Sequence, residues 1–256
     1  MAHPTRYATV ETSGATVGAA PLRLFCFAHA GGSAWSFTGW GHRLGREIAV
    51  VPVSLPPRSM SVSTMDDLVR EVDERFVPAL DEPYAFYGHS MGSLVAYGVA
   101  QRRLAAGRPP PVCFVVGAHR APHLPAPDLI GDLSDAVTLE LLLGLGGAGR
   151  LLRESPRRMR AVVDRLRQDL LISATYRHPA EGHRPLPCPI HVFHGSDDQL
   201  VSAAHAAAWD RHTVGSFSLR VLPGGHFFHK EHQELFLTEL RKACSWRGGP
   251  LSQAVA

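Results

Sequence analysis

The chain has 256 residues, 45% apolar and 19% charged, with a formal net charge of +3 when His is neutral. That length and composition suit one soluble domain with a substantial core, and so small and dispersed a positive charge gives no case for nucleic acid as a partner. No stretch reaches the roughly 18 apolar residues needed to cross a bilayer. Met1 to Thr16 is polar and lacks an apolar signal core, so a cytoplasmic protein without a membrane partner is expected. In chain order, Leu22 to Ala28 is a short apolar run ending in His29-Ala30-Gly31-Gly32, followed by a predicted helix from Trp35 to Leu44 and a second run, Ile48 to Val53. Helical spacing follows over Met65 to Leu80. A third run, Tyr84 to Tyr87, leads directly into a helical pattern from Ser93 to Ala106. Val112 to Val116, Ile190 to Phe193 and Phe217 to Leu222 are further apolar runs, and Glu231 to Trp246 reads as a closing helix.

Short apolar runs alternating with helices predict an α/β fold, with a mostly parallel central sheet covered by helices on both faces. Residues 1–256 read as a single domain. Between Ala121 and Pro187 the alternation stops. Two helical patterns, Leu133 to Leu143 and Met159 to Thr175, stand there without a strand, so residues 121–187 are expected to form a helical lid inserted over the site. The four cysteines, Cys26, Cys113, Cys188 and Cys244, are far apart and form no C-x-x-C pair. They read as unpaired thiols in a reducing compartment.

Gly88-His89-Ser90-Met91-Gly92 fits G-x-S-x-G and lies between a strand and a helix. A nucleophilic serine on that sharp turn stands clear of the sheet, and side chains at the flanking positions would collide with the neighbouring strand and helix. A serine hydroxyl needs an adjacent base. Among 15 histidines, His226 follows the last strand in Leu222-Pro223-Gly224-Gly225-His226, where an α/β-hydrolase carries its base. The acid is expected after the preceding strand, in Gly195-Ser196-Asp197-Asp198. Asp198 is assigned that role, with Asp197 as the alternative. The backbone N–H groups of Met91 and Ala30 are the expected donors to the oxyanion. This set needs no metal or organic cofactor.

These motifs resemble the stand-alone type II thioesterases that accompany polyketide synthases and nonribosomal peptide synthetases. The resemblance rests on Phe25 to Ser33, Tyr87 to Gly92, Gly195 to Asp198 and Pro223 to Phe228, and spans roughly Leu22 to Leu240. It implies an α/β-hydrolase that removes aberrant or stalled acyl groups from the phosphopantetheine arm of acyl or peptidyl carrier proteins, with Ser90, Asp198 and His226 as the triad. A carboxylesterase or lipase acting on small esters is the alternative. The chain departs from the family pattern at Leu55-Pro56-Pro57-Arg58, where Leu-Pro-Gly-Arg is usual, and at Gln199, where Pro is usual. Its lid is also rich in arginine (Arg150, Arg153, Arg157, Arg158, Arg160), which reads as a solvated helix face or as a docking surface for an acidic carrier.

Two further patterns are set aside. Gly144 to Gly149 fits G-x-G-x-x-G but follows a helical Leu run, where a dinucleotide site needs a preceding strand, so it reads as a lid hinge. His226, His229 and His232 do not form H-E-x-x-H and read as no zinc site.

Overall fold

Six apolar runs form strands in the computed structural model, which describes residues 20–56, 62–76, 82–125, 156–179 and 183–245. They are β1 (Leu22–Phe27), β2 (Ile48–Val53), β3 (Tyr84–His89), β4 (Phe114–Gly117), β5 (Ile190–Gly195) and β6 (Phe217–Leu222). The sheet order is β2-β1-β3-β4-β5-β6, and every neighbouring pair is parallel. This is the mostly parallel α/β architecture expected from the alternation. Successive strand residues point to opposite faces, and both faces are covered. Phe25, Phe27 and Phe86 enter one core with α2 (Met65–Phe76) and α3 (Met91–Ala105). Leu24, Cys26 and Tyr87 enter the other with α1 (Trp40–Leu44) and α7 (Gln233–Ala243).

The chain runs from β1 outward to β2, then crosses to β3 on the other side of β1. Strand order reverses there, and the crevice at the C-terminal ends of β1 and β3 is where such sheets bind ligands. The register sets Phe27 beside Gly88. The loop after β1 and the turn after β3 are therefore direct neighbours.

Local chemistry sets the boundaries. The helix expected over Trp35 to Leu44 is split into a 3-10 turn, Ala34–Phe37, and α1, because Gly39 between them has φ 82°. Thr64 and Asp67 cap α2 reciprocally: the Thr64 hydroxyl accepts from Asp67 N–H (3.1 Å) and the Asp67 carboxylate accepts from Thr64 N–H (3.1 Å). The closing helix starts at Gln233 after a separate turn, α6 (Phe228–Glu231). Residues Ala203 to His212 form α5 (Ala203–Ala207) and a 3-10 turn.

Between β4 and β5 lies α4 (Pro156–Ala174), close to the expected Met159 to Thr175. It packs against α2 and α3. The Thr175 hydroxyl just beyond its end accepts from Met65 N–H at 2.8 Å. The expected helix Leu133 to Leu143, Gly144 to Gly149, Arg150, Arg153, Pro57 and Arg58 lie outside the described residues. Arg157 and Arg160 are exposed on α4. The four cysteines are buried thiols without disulfides.

Candidate active site

Ser90 sits at the tip of β3 with φ 53° and ψ −125°, a backbone conformation that L-residues rarely adopt. The flanking glycines have no room for a side chain. A Cβ on Gly88 would lie 2.3 Å from Ser93 Cα, and one on Gly92 would lie 2.2 Å from the Phe27 carbonyl oxygen. The turn is thus clamped between α3 and β1, as the motif predicts. Ser90 N–H donates to the Gly117 carbonyl (2.7 Å), tying it to the end of β4.

His226 meets Ser90 from the loop after β6. Its Nε2 is 3.0 Å from Ser90 Oγ, and its Nδ1 is 2.9 Å from Asp198 Oδ2. The Asp198 side chain is fully buried, and that of His226 is 10% exposed. Asp198 Oδ1 accepts from the N–H groups of Leu200 (2.9 Å) and Val201 (3.1 Å). Burial pushes the Asp198 carboxyl up. The hydrogen bond and charge of His226, with the two backbone donors, outweigh that and hold it below the usual carboxylate range. A carboxylate that only accepts fixes the proton on His226 Nδ1, leaving Nε2 to take the serine proton. Asp197 points elsewhere, accepting from Ser196 Oγ at 3.0 Å. The loops that carry Asp198 and His226 interlock: Asp197 N–H donates to the Gly224 carbonyl (2.9 Å), and a Cβ on Gly195 would strike the Gly225 oxygen at 2.2 Å.

The loop after β1 is a type II turn. Gly32 N–H donates to the His29 carbonyl (2.9 Å), and Gly31 occupies the left-handed position at φ 72°. Gly31 N–H donates to Asp169 Oδ2 at 2.8 Å. Among the described residues the Ala30 N–H has no hydrogen-bond acceptor. Met91 supplies the first N–H of α3, which lacks an intrahelical partner. Ala30, Met91, Ser90 and His226 share the wall of one cavity of about 660 Å³. Leu94, Leu166 and Leu170 add apolar surface to it, and His123 and His178 a polar portion.

The sequence reading missed two residues that hold this geometry. His89, the variable position of the motif, accepts from the Tyr87 hydroxyl at Nδ1 (2.9 Å) and donates from Nε2 to the His226 carbonyl (2.9 Å). Asp169, fully buried on α4, reaches the turn after β1. The signal for Asp169 is an acid three residues after Leu166 on the apolar face of a helix; nothing in the motif singles out His89. His229 packs against the His89 and Trp40 rings. Among the described residues, no three His, Cys, Asp or Glu side chains are placed to hold one metal ion.

Residues 22–244 match the thioesterase domain family. The chain is 37% identical over 227 residues to the linear gramicidin dehydrogenase LgrE of Brevibacillus parabrevis, covering 84% of this chain and 85% of that protein. Among solved structures it resembles RedJ, the thioesterase of the prodiginine pathway in Streptomyces coelicolor (37% identity, TM-score 0.78, 88% of this chain and 87% of that one). It also resembles BorB, the type II thioesterase of the borrelidin cluster (29% identity, TM-score 0.74, 87% and 92%). No described helix is long and apolar enough to cross a membrane.

Proposed function

The chain belongs to the thioesterase domain family, and on that premise we propose that it hydrolyses acyl thioesters carried on the phosphopantetheine arm of acyl or peptidyl carrier proteins. Its role is to clear aberrant or stalled acyl groups during polyketide or nonribosomal peptide assembly in the cytoplasm. Ser90 is the nucleophile, His226 the base and Asp198 the residue that orients it. The observation that carries this reading is the unbroken hydrogen-bond chain from Ser90 Oγ through His226 to Asp198, opening on a largely apolar cavity.

His226 Nε2 takes the Ser90 proton as Oγ attacks the thioester carbonyl. The negative charge developing on oxygen is met by the N–H groups of Ala30 and Met91. Collapse expels the thiol with the proton returned by His226, leaving an acyl-serine. The same imidazole then deprotonates a water to release the acid. Residues 121–187, inserted into a single domain of residues 1–256, act as the lid that closes the acyl cavity.

The test is release of short acyl groups from a loaded carrier protein by the wild type and by Ser90→Ala. Release should fall by about 10⁴-fold or more in the variant. A carrier that stays loaded while simple esters are cleaved would make the chain an esterase.

A further inference from the structure

We propose that Asp169, carried by the helix inserted between β4 and β5, is a positioning residue for thioester hydrolysis: it anchors the turn after β1 through the Gly31 N–H, so that the adjoining His29–Ala30 peptide keeps its Ala30 N–H facing the reacting carbonyl. The inference rests on the reading of Ser90 as nucleophile and Ala30 as oxyanion donor.

The turn after β1 has two interior N–H groups, those of Ala30 and Gly31, because Gly32 N–H is spent on the His29 carbonyl. Asp169 takes the Gly31 N–H at 2.8 Å with a fully buried carboxylate. That leaves Ala30 as the unspent donor. The other end of the same peptide is also held. His29 Nδ1 lies 3.0 Å from the Ala30 carbonyl, and a carbonyl only accepts, so the ring donates from Nδ1 and offers Nε2 to the Lys230 ammonium (3.3 Å). Burial, and after it the Lys230 charge, pushes His29 down to about 3, which keeps this imidazole neutral.

One peptide plane is therefore fixed at both poles, its N–H by Asp169 and its C=O by His29. A flip of this peptide, which converts a type II turn into type I, would aim the Ala30 carbonyl at a buried carboxylate and forfeit both bonds; the Ala30 N–H lies on the preceding peptide, joined to the fixed plane at the Ala30 Cα, so the anchored turn holds it from one side. The insertion helix adds a steric contact at the same point. Leu166, one turn before Asp169, is so close that a Cβ on Gly31 would lie 3.2 Å from its Cβ. Asp169 and Leu166 thus grip the turn from one helix face, and displacement of α4 leaves the turn that carries the Ala30 donor held by His29 alone. The covering helix and the oxyanion donor form one mechanical unit.

The test compares Asp169→Ala and Asp169→Asn in the full chain by kcat and KM on an acyl thioester. It also measures affinity for a trifluoromethyl ketone, which forms a tetrahedral adduct with Ser90, and for a non-hydrolysable amide analogue of the thioester. The Asn side-chain oxygen still accepts from Gly31 N–H. Asp169→Ala should lower kcat by about 10- to 100-fold with KM nearly constant, weaken the ketone by a similar factor, leave the amide unchanged, and be largely rescued in Asp169→Asn. If the Ala variant does not fold, Asp169→Val fills more of the space without accepting a hydrogen bond and takes its place. A folded variant with wild-type kcat, equal losses for both ligands, or no rescue by Asn would overturn the proposal. Loss of Ser90-dependent hydrolysis in the wild type is a separate result that would overturn the parent reading.

Discussion

The imidazole of His89 donates to the main-chain carbonyl of His226 at 2.9 Å, so the residue beside Ser90 holds the loop that carries His226. The proton assignment follows from the partners. The Nε2–H is committed to a carbonyl, so Nδ1 must accept from the Tyr87 hydroxyl. Burial, followed by the charges of His229, His226 and His29, drives His89 well below its usual range and keeps it neutral.

Replacing His89 with Ala should free the His226 loop. We expect kcat to fall about 10-fold or more while KM moves little, because substrate contacts are untouched and the Ser90–His226 alignment is not. Steady-state kinetics on an acyl thioester reads this directly. Unchanged kcat would mean the loop is held well enough by its contacts with Gly195 and Asp197.

Asp198→Asn should cost about 10³- to 10⁴-fold in kcat, since the amide favours the wrong imidazole tautomer. Asp197→Asn should stay within about twofold of wild type, because its carboxylate is solvent-facing. Side-by-side kcat/KM values for the two variants check the assignment. A larger loss at Asp197 would reverse it.

Gly92→Ala should destabilise the protein by about 3 kcal/mol, because the new methyl meets the backbone of β1 and no side chain can yield to it. Urea denaturation followed by circular dichroism measures the shift. Gly41→Ala is the comparison: nothing lies within 4 Å of a Cβ there, so its midpoint should not fall by a comparable amount.

Acid should weaken the fold well above the carboxylate range. His29 and His212 are both pushed down to about 3, chiefly by burial, and are 3% and 2% exposed. Their unfolded values are about 6.5. Above that pH neither state binds the extra proton and stability is flat. As pH falls through 6.5 the unfolded chain takes up protons that the folded chain refuses, so stability drops until the folded values are reached. Each such histidine contributes a slope of up to about 1.4 kcal/mol per pH unit. Urea midpoints between pH 8 and 5 should decline progressively below pH 7; a flat profile would show that these histidines protonate within the fold.

Much of this is legible in the sequence alone. The strand runs are nearly continuous apolar stretches, and G-x-S-x-G has a steric reason at both glycines. His226 and Asp198 are chosen by position, since a loop after a strand must end near the crevice, and the structure brings their side chains into one hydrogen-bonded chain with Ser90. What escaped was contact between distant segments. His89 and Asp169 act on residues more than 130 positions away in the chain, and no local pattern encodes such a pairing. The break at Gly39 escaped because spacing alone does not reveal a left-handed residue inside a helical pattern.

The register that sets Phe27 beside Gly88 has a consequence for scale. The two amides proposed to receive the oxyanion extend from neighbouring strands, whose separation is about 4.8 Å in any sheet. The ladder thus sets the spacing of the two anchor points from which a turn and a helix carry those amides, as a socket's bore is cut in the block, while the covering helix sets the aim of the Ala30 donor. Loops around these amides can be rewritten to admit different acyl groups while that gauge stays constant.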